Sequence, residues 1–313
     1  MDAKDISNKL LVVIAGPTGS GKTNIAIKLA QHYQTEIVIA DSRQVYKELN
    51  IGVGKPTVDQ LATVSHHLIS HVSIHDHYSA GHYTTDALMI IYTLFAKHDV
   101  VILSGGTGLY IKSIIDGFDA MPDVPSDVTS KWTKLWESEG TAPLIESLKE
   151  LDPDYLAVVD IDNYSRLIRA VAVSDFSGRP FSSFRKGEKS DRFFQVLPVV
   201  LDLSRKELYE KINQRVIDMI QQGWLLEAKQ LYPFRNLQAL QTVGYQELFE
   251  VIEEKLSLEE ATEKIQQSTR RYAKRQLTWF RNQGAWNWIS PENDNGIIRL
   301  IDERSSFTNH LDQ

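Results

Sequence analysis

A glycine-rich loop near the start of the chain constrains the fold more than any other feature. Residues 16–23 match the pattern Gly-x-x-x-x-Gly-Lys-Ser/Thr. An apolar run at residues 10–15 precedes them, and apolar side chains at helical spacing follow within residues 25–30. The sequence therefore predicts a strand, a phosphate-binding loop and a helix in succession. The loop residues are Gly16, Pro17, Thr18, Gly19, Ser20, Gly21, Lys22 and Thr23.

The chemistry of such a loop suits an anionic ligand. Glycines allow successive backbone N–H groups to turn toward an anion, and the helix N-terminus adds partial positive charge. Lys22 is predicted to reach phosphate oxygens, and the hydroxyl of Thr23 to bind Mg²⁺. We expect a pyrophosphate or triphosphate group here. The loop alone does not name the reaction, because kinases, motor ATPases and GTPases share it.

Two further apolar runs, at residues 36–40 and 100–103, are continuous rather than alternating, as in strands buried on both faces of a parallel sheet, and residues 195–203 are predicted to form a fourth strand. The first two end in small polar residues, and ligands of open α/β sheets lie beyond the carboxyl ends of strands. The predicted fold class is α/β: a P-loop NTPase-like parallel sheet flanked by helices, with an inserted helical subdomain and a helical C-terminal region.

The domain boundaries follow from a change in character along the chain. Residues 1–117 read as the first part of the α/β core, and residues 118–190 as an inserted subdomain of helical segments interrupted by single prolines. Residues 191–313 complete the core and continue as helices. Capping-box patterns at Ser204 and Ser257 predict two of these helix starts.

Asp41 follows the second predicted strand and has three interpretations. It is the metal-binding Asp of a nucleotide hydrolase, or a base opposite the phosphate loop that receives a proton from a nucleophile, or a strand-ending Asp that caps the next turn. Local pattern does not separate them. The other position for a metal-binding Asp holds Ser104, which argues against a simple ATPase. Thr107, in the Gly-rich segment after Ser104, is either a helix N-cap or a substrate contact.

Arg215 lies seven residues after Leu208, on nearly the same face of its predicted helix as the apolar residues. Because an unpaired charge is costly to bury, an anionic partner is expected. A carboxylate of the protein and a bound pyrophosphate both meet that need, and the arginine fork suits the second well.

The chain is acidic overall but has a basic segment near its C-terminus, and such a local concentration of positive charge is more informative about nucleic-acid binding than the net charge. The net charge is −7, which alone argues weakly against nucleic acid. Between Lys264 and Pro291, however, there is no Asp or Glu. The predicted helix that begins after Ser257 carries an apolar face and a basic face, which favours binding of nucleic acid. The apolar face comprises Ala261, Ile265, Tyr272, Gln276 and Trp279; the basic face comprises Arg270, Lys274 and Arg281, flanked by Arg271 and Arg275.

The remaining composition sets limits on class and location. A histidine-rich stretch, residues 66–77, matches no zinc signature, so we expect surface or phosphate-adjacent roles for it. There is no cysteine, no signal peptide and no apolar stretch approaching about 20 residues. We expect a cytoplasmic monomer without a membrane partner.

Taken together, five segments strongly resemble the tRNA dimethylallyltransferase family in its bacterial form. The resemblance spans nearly the whole chain and rests on residues 16–23, 41–46, 105–110, 240–245 and 269–281. It implies transfer of a dimethylallyl group from dimethylallyl diphosphate to the exocyclic amino group of the adenine just 3′ of the tRNA anticodon, releasing diphosphate. It also implies Mg²⁺ as cofactor.

The resemblance further implies roles for individual residues. Asp41 is implied as the catalytic Asp, with Arg215 and Thr23 assisting at the diphosphate, and residues 118–190 as a tRNA-binding subdomain. The implied tRNA contacts are Asp41, Ser42, Arg43, Gln44, Thr107, Arg166, Leu167, Ile168, Arg169, Ala170, Leu240, Gln241, Thr242, Val243, Gly244, Tyr245, Lys274, Arg275, Gln276 and Arg281.

Two rival functions use the same loop. A P-loop kinase of a small metabolite leaves the basic aromatic helix unexplained. An RNA-binding module that holds nucleotide as a structural ligand leaves Asp41 and Arg215 without a chemical role.

Overall fold

The computed structural model of the protein describes residues 9–187 and 189–310, with side chains up to residue 305. Its strands form one parallel sheet in the order β3-β2-β4-β1-β5-β6. The strands are β1 (Leu10–Ala15), β2 (Ile37–Ala40), β3 (His66–His67), β4 (Val100–Gly105), β5 (Gln195–Leu201) and β6 (Asn287–Ile289).

The central strands are buried on both faces. All residues of β1, β2 and β4 are buried, which confirms the parallel-sheet interpretation of their continuous apolar runs. Strand β5 ends at Leu201, two residues earlier than predicted. Strands β3 and β6 were not predicted, because two or three residues are too few to show a period.

Helices cover both faces of the sheet and continue toward the C-terminus. In chain order they are α1 (Lys22–His32), α2 (Val58–Thr63), α3 (Ala80–Phe95), α4 (Gly108–Ile115), α5 (Ser126–Glu139), α6 (Ala142–Leu151), α7 (Pro153–Leu156), α8 (Tyr164–Ser177), α9 (Arg205–Gln221), α10 (Trp224–Leu231), α11 (Tyr245–Ile252), α12 (Leu258–Asn282) and α13 (Asp294–His310). Short 3₁₀ turns occupy Phe181–Phe184, Tyr232–Phe234 and Gln238–Leu240.

Alternate residues of β1 supply two separate cores. Leu11 and Val13 pack in one cluster with α3, α4 and Phe280 of α12. Val12 and Ile14 pack in the other with α1 and α13. Because side chains alternate along a strand, one six-residue strand anchors helices on both faces of the sheet.

The predicted helix starts at Ser204 and Ser257 are confirmed. Each serine hydroxyl accepts the backbone N–H of a glutamate three residues later, and that glutamate accepts the backbone N–H of the serine. Helix α9 buries Leu208, Ile212 and Val216 along one face.

The predicted apolar face of α12 is wrong in part. Helix α12 buries Ala261, Ile265 and Gln276 as expected, but Ala273 and Phe280 take the remaining buried positions. Tyr272 is 36% exposed and Trp279 only half-buried. Arg270 is also not on a free basic face, because its guanidinium donates to Asn213 Oδ1 of α9 at 2.5 Å.

The chain divides into two compact units. One comprises the chain up to Ile115 together with the chain from Arg192, and the other comprises residues 116–191, with α5 to α8. In the first unit, the Arg192 guanidinium donates to the carbonyls of Ile114 at 2.9 Å and Ser113 at 3.1 Å, so the chain leaves and re-enters this unit at one place. The second unit has its own core around Leu144, Leu167 and Val171.

Within the part of the chain that the structure describes, no helix combines the length and the apolar character that crossing a bilayer requires.

Candidate active site

The phosphate loop connects β1 to α1 and has the backbone geometry of an anion cradle. Gly19 and Gly21 have φ of 81° and 88°, a left-handed conformation that side chains disfavour, and Gly21 occupies the N-cap of α1. The N–H groups of Gly19, Gly21, Lys22 and Thr23 donate to no other described group of the protein. They are therefore free for a ligand, and the positive end of α1 lies among them.

Lys22 folds back over the loop. Its ammonium donates to the carbonyl of Pro17 at 2.7 Å. Burial lowers the pKa of Lys22 to about 8, which the Asp41 carboxylate partly opposes and the Arg215 guanidinium reinforces. The three charged side chains are thus close enough to influence one another, and a bound anion raises the pKa of Lys22 again because it favours the charged form.

Asp41 combines a capping bond with a free oxygen. Its Oδ1 atom accepts the backbone N–H groups of Arg43 at 2.9 Å and Gln44 at 3.2 Å, so the capping interpretation describes part of what Asp41 does. Its Oδ2 atom makes no hydrogen bond to the described residues and belongs to a side chain that lines the cavity beside the phosphate loop. The two bonds fix the orientation of the carboxylate, which a base requires.

Arg215 projects from α9 into the same cavity without a carboxylate partner among the described residues. Its Nη2 atom donates to the carbonyl of Gly54 at 3.4 Å. Burial lowers the pKa of Arg215, while Asp41 raises it. The sequence left two possible partners for Arg215, a protein carboxylate and a bound anion. No carboxylate of the described residues pairs with it, so the guanidinium is available to an anion.

Thr107 joins the two strand ends at which Asp41 and Ser104 lie. It precedes α4, but its hydroxyl accepts the backbone N–H of Ser42 at 2.9 Å and donates to the Ser42 hydroxyl at 3.3 Å. The backbone N–H of Thr107 donates to the carbonyl of Ala40 at 3.1 Å. Its side chain thus holds the loop after β2 rather than acting as a simple N-cap.

Gln276 of α12 connects the phosphate loop to the loop after β4. Its side-chain oxygen accepts the backbone N–H of Thr18 at 2.9 Å, and its side-chain nitrogen donates to the carbonyl of Gly106 at 2.8 Å. The residue is 8% exposed. Gln276 is one of the expected tRNA contacts; its amide makes these two bonds within the protein, and its side chain also lines the cavity beside the phosphate loop.

One cavity of about 770 Å³ brings these elements together. The phosphate loop, Asp41 and Arg215 line it, and Tyr272 and Arg275 of α12 reach it from the basic helix. The loop of residues 50–57 forms another wall, which was not predicted from the sequence. Two closely spaced glycines before Lys55 were the available signal there.

The expected tRNA contacts differ in accessibility. Lys274, Arg275 and Arg281 are exposed on α12, and Arg166 and Arg169 are exposed on α8 of the second unit. In contrast, Leu167, Ile168, Ala170, Leu240 and Tyr245 are buried.

Arg43 and the segment after Leu240 are in contact with each other. The Arg43 guanidinium donates to the carbonyls of Gln238 at 3.0 Å, Ala239 at 3.1 Å and Gln241 at 3.4 Å. Gln241, Thr242 and Val243 then line the cavity, with Gly244 and Tyr245 starting α11.

Two histidines of the histidine-rich segment contact other side chains of the protein. The Nε2 atom of His67 lies 2.8 Å from a Glu36 carboxylate oxygen, and that of His71 lies 3.1 Å from the Tyr78 hydroxyl. Among the described residues, no group of three or more His, Asp or Glu side chains is arranged to hold a metal ion.

Fold and site together define a P-loop α/β protein whose cavity joins phosphate-binding groups to an oriented carboxylate. A family model described as IPP transferase matches residues 44–283. The chain belongs to this family.

Relatives match along nearly the whole chain. The tRNA dimethylallyltransferase of Christiangramia forsetii is 43% identical over 300 residues, which are 96% of this chain and 99% of that protein. The tRNA dimethylallyltransferase 1 of Bacteroides thetaiotaomicron is 40% identical over 291 residues, 93% of this chain and 94% of that protein. The crystal structure of a tRNA isopentenylpyrophosphate transferase from Bacillus halodurans superposes with a TM-score of 0.71 at 31% identity, covering 97% of this chain and 99% of that one.

Proposed function

We propose that the chain is a tRNA dimethylallyltransferase, which transfers a dimethylallyl group from dimethylallyl diphosphate to the exocyclic amino group of the adenine 3′ of the anticodon. The observation that carries this proposal is the meeting, in one cavity, of free loop N–H groups, the Asp41 carboxylate and an Arg215 guanidinium without a carboxylate partner among the described residues. This set suits a reaction in which an amine loses a proton while a diphosphate leaves. With tRNA as substrate, we expect the reaction to take place in the cytoplasm.

The reaction requires two kinds of assistance: removal of a proton from the attacking amine and stabilisation of the leaving diphosphate. The amino nitrogen attacks the first carbon of the allylic group, the bond from that carbon to the diphosphate oxygen breaks, and diphosphate leaves with the electron pair. The free N–H groups of the loop, Lys22 and Arg215 take up the negative charge that develops on the leaving group. The nitrogen loses its proton to the free oxygen of Asp41.

The donor set fits a magnesium ion held mainly by the substrate. The Thr23 hydroxyl lines the cavity and makes no hydrogen bond to a described residue, and Mg²⁺ typically combines one or two protein ligands with phosphate oxygens and water. When bound, the ion neutralises charge on the diphosphate. Thr23 is the residue we assign to hold it.

The tRNA contacts are proposed according to accessibility. Lys274, Arg275 and Arg281 contact phosphates from α12, while Arg166 and Arg169 contact them from the second unit. Gln241 and Thr242 line the cavity and contact the nucleotides near the acceptor base. Buried members of the expected set, such as Leu240 and Tyr245, support these contacts from within the protein, whereas Gln276 lines the cavity.

A label-transfer experiment tests this function. Purified protein is incubated with tRNA and either radiolabelled dimethylallyl diphosphate or γ-labelled ATP, and the label in the tRNA fraction and in the small-molecule fraction is measured. Label from the allylic diphosphate is expected on tRNA, and it disappears when the adenine 3′ of the anticodon is replaced by another base. Transfer of the ATP label to a small molecule or to tRNA, without allylic transfer, contradicts the proposal.

A further inference from the structure

Glu227 of α10 binds the cavity loop of residues 50–57 through consecutive backbone groups. Its Oε2 atom accepts the N–H groups of Asn50 at 3.2 Å and Ile51 at 2.9 Å, and its Oε1 atom accepts that of Gly52 at 3.1 Å. The Tyr245 hydroxyl donates to Oε1 at 2.6 Å. No lysine or arginine of the described chain forms an ion pair with this carboxylate, although Lys55 of the same loop interacts with it electrostatically: burial lowers the pKa of that lysine, and Glu227 acts to raise it. The direct hydrogen bonds to the carboxylate come from the loop backbone and one hydroxyl.

The far end of the same loop contacts Arg215. The carbonyl of Gly54 accepts a hydrogen bond from Arg215 Nη2 at 3.4 Å and another from Gln44 Nε2 at 3.2 Å. Gly54 has a φ of 58°, and a Cβ there would lie 2.8 Å from the guanidinium carbon. The loop and the guanidinium therefore lie in direct contact, and there is no room between them for a side chain at residue 54.

At Gly52, nearer the start of the loop, the backbone packs closely against Trp224 and Tyr245. A Cβ on Gly52 would lie 2.6 Å from the ring of Tyr245 and would also collide with Trp224, the first residue of α10. The loop backbone thus lies directly on the helix that carries Glu227. Its position is determined by this packing and by the bonds to Glu227.

We propose that Glu227 is a positioning residue for the diphosphate site, acting through the loop of residues 50–57 on Arg215. The proposal rests on the proposed function only in naming diphosphate as the ligand of Arg215. Glu227 itself touches neither the substrate nor the reacting atoms. A carboxylate accepting several backbone N–H groups holds a loop more firmly than a neutral acceptor does.

The direction in which diphosphate affinity changes when the Glu227 charge is removed distinguishes a positioning role from a purely electrostatic one. Removing a negative charge near an anion site strengthens anion binding by Coulomb's law. Removing a carboxylate that holds Arg215 in place weakens it. Glu227→Gln keeps the size of the side chain but introduces an NH₂ group that cannot accept the loop N–H groups.

The experiment measures binding of inorganic diphosphate, in the presence of Mg²⁺, to full-length protein by isothermal titration calorimetry. Glu227→Gln is expected to raise the dissociation constant about tenfold. The matched control is Glu263→Gln, which removes an equal charge from an exposed position of α12 and is expected to leave the constant unchanged. Tighter or unchanged binding in Glu227→Gln overturns the proposal.

A double-mutant cycle shows whether the effect passes through Arg215. In an Arg215→Ala background, Glu227→Gln is expected to change the constant less than about twofold, because the affected guanidinium is already gone. An undiminished effect in that background overturns the proposed route. Tyr245→Phe removes one hydroxyl donor to Glu227 with little change in packing. It is expected to weaken diphosphate binding in the wild-type background and not in the Arg215→Ala background, which tests the proposal even if Glu227→Gln fails to fold.

These outcomes are independent of the transfer reaction. If wild-type protein binds diphosphate and responds as expected but moves no allylic label to tRNA, the proposed function fails and the role of Glu227 stands. If label moves normally and Glu227→Gln leaves diphosphate binding unchanged, only this inference fails.

Discussion

The backbone N–H of Thr18 donates to the side-chain oxygen of Gln276, 258 positions further along the chain, at 2.9 Å. The phosphate loop is therefore held in part by α12, the helix that also carries the exposed cations Lys274 and Arg275. This long-range bond uses the N–H of Thr18, whereas the N–H groups of Gly19, Gly21, Lys22 and Thr23 have no partner among the described residues.

Gln276→Met is expected to lower the free energy of unfolding by about 1–3 kcal/mol, because it leaves the Thr18 N–H and the Gly106 carbonyl unpaired. It is also expected to weaken diphosphate binding. Urea denaturation and calorimetry measure the two effects. Gln267→Met, at an exposed position of the same helix, serves as the control. Reduced stability with unchanged diphosphate affinity means that the bond supports the fold and not the site.

Asp41→Asn is expected to reduce kcat at least about 100-fold, the usual contribution of a general base. The amide oxygen still accepts the N–H groups of Arg43 and Gln44, so the loop after β2 keeps its conformation. Single-turnover transfer to tRNA measures the rate, and filter binding is expected to show unchanged tRNA affinity. A near-normal rate removes Asp41 from the chemistry.

Lys22 makes diphosphate binding depend on pH. Its pKa is lowered to about 8 in the free protein, and a bound anion raises it, so binding above pH 8 takes up a proton and affinity falls as pH rises through that value. Calorimetry at about pH 8.5, in two buffers of different ionisation enthalpy, measures the uptake.

Lys22→Arg supplies the control for this measurement, since arginine stays charged throughout that range. The variant is expected to retain only the proton exchange that belongs to diphosphate itself. Equal uptake by both proteins contradicts the assignment to Lys22.

The basic residues of α12 predict a salt dependence of tRNA binding. Lys274→Ala combined with Arg275→Ala is expected to flatten the slope of log affinity against log salt by about 0.7–0.9 for each phosphate that the variant no longer neutralises. Arg270→Ala is a control from the same helix, because Arg270 is bonded to Asn213 instead of facing solvent. An unchanged slope in the double variant shows that these side chains are merely solvated.

The features best predicted from the sequence are those determined by residues close together in the chain. The phosphate loop, the central strands and the capping boxes at Ser204 and Ser257 can each be recognised from a pattern of a few residues. Tyr272 shows where this approach fails. A side chain that lines a cavity and one that packs in a core follow the same helical spacing, so Tyr272 was placed on the apolar face although it borders the cavity.

The contacts of Gln276 and Glu227 were beyond prediction for a different reason. Each joins segments that are distant in the chain, and nothing in the local pattern around either residue specifies its partner. Burial of a polar side chain reveals such a link only when the tertiary structure is known.

The bonds from Arg192 to the carbonyls of Ser113 and Ile114 have a consequence for modularity. The chain leaves the sheet-bearing unit and rejoins it at adjacent points. Residues 116–191 therefore form an insertion that does not interrupt the packing of that unit. Such a segment can be lengthened, exchanged or excised during evolution while the strand order around it stays intact. The junction thus allows the tRNA contacts proposed for Arg166 and Arg169 to change while the proposed diphosphate site in the other unit keeps its structure.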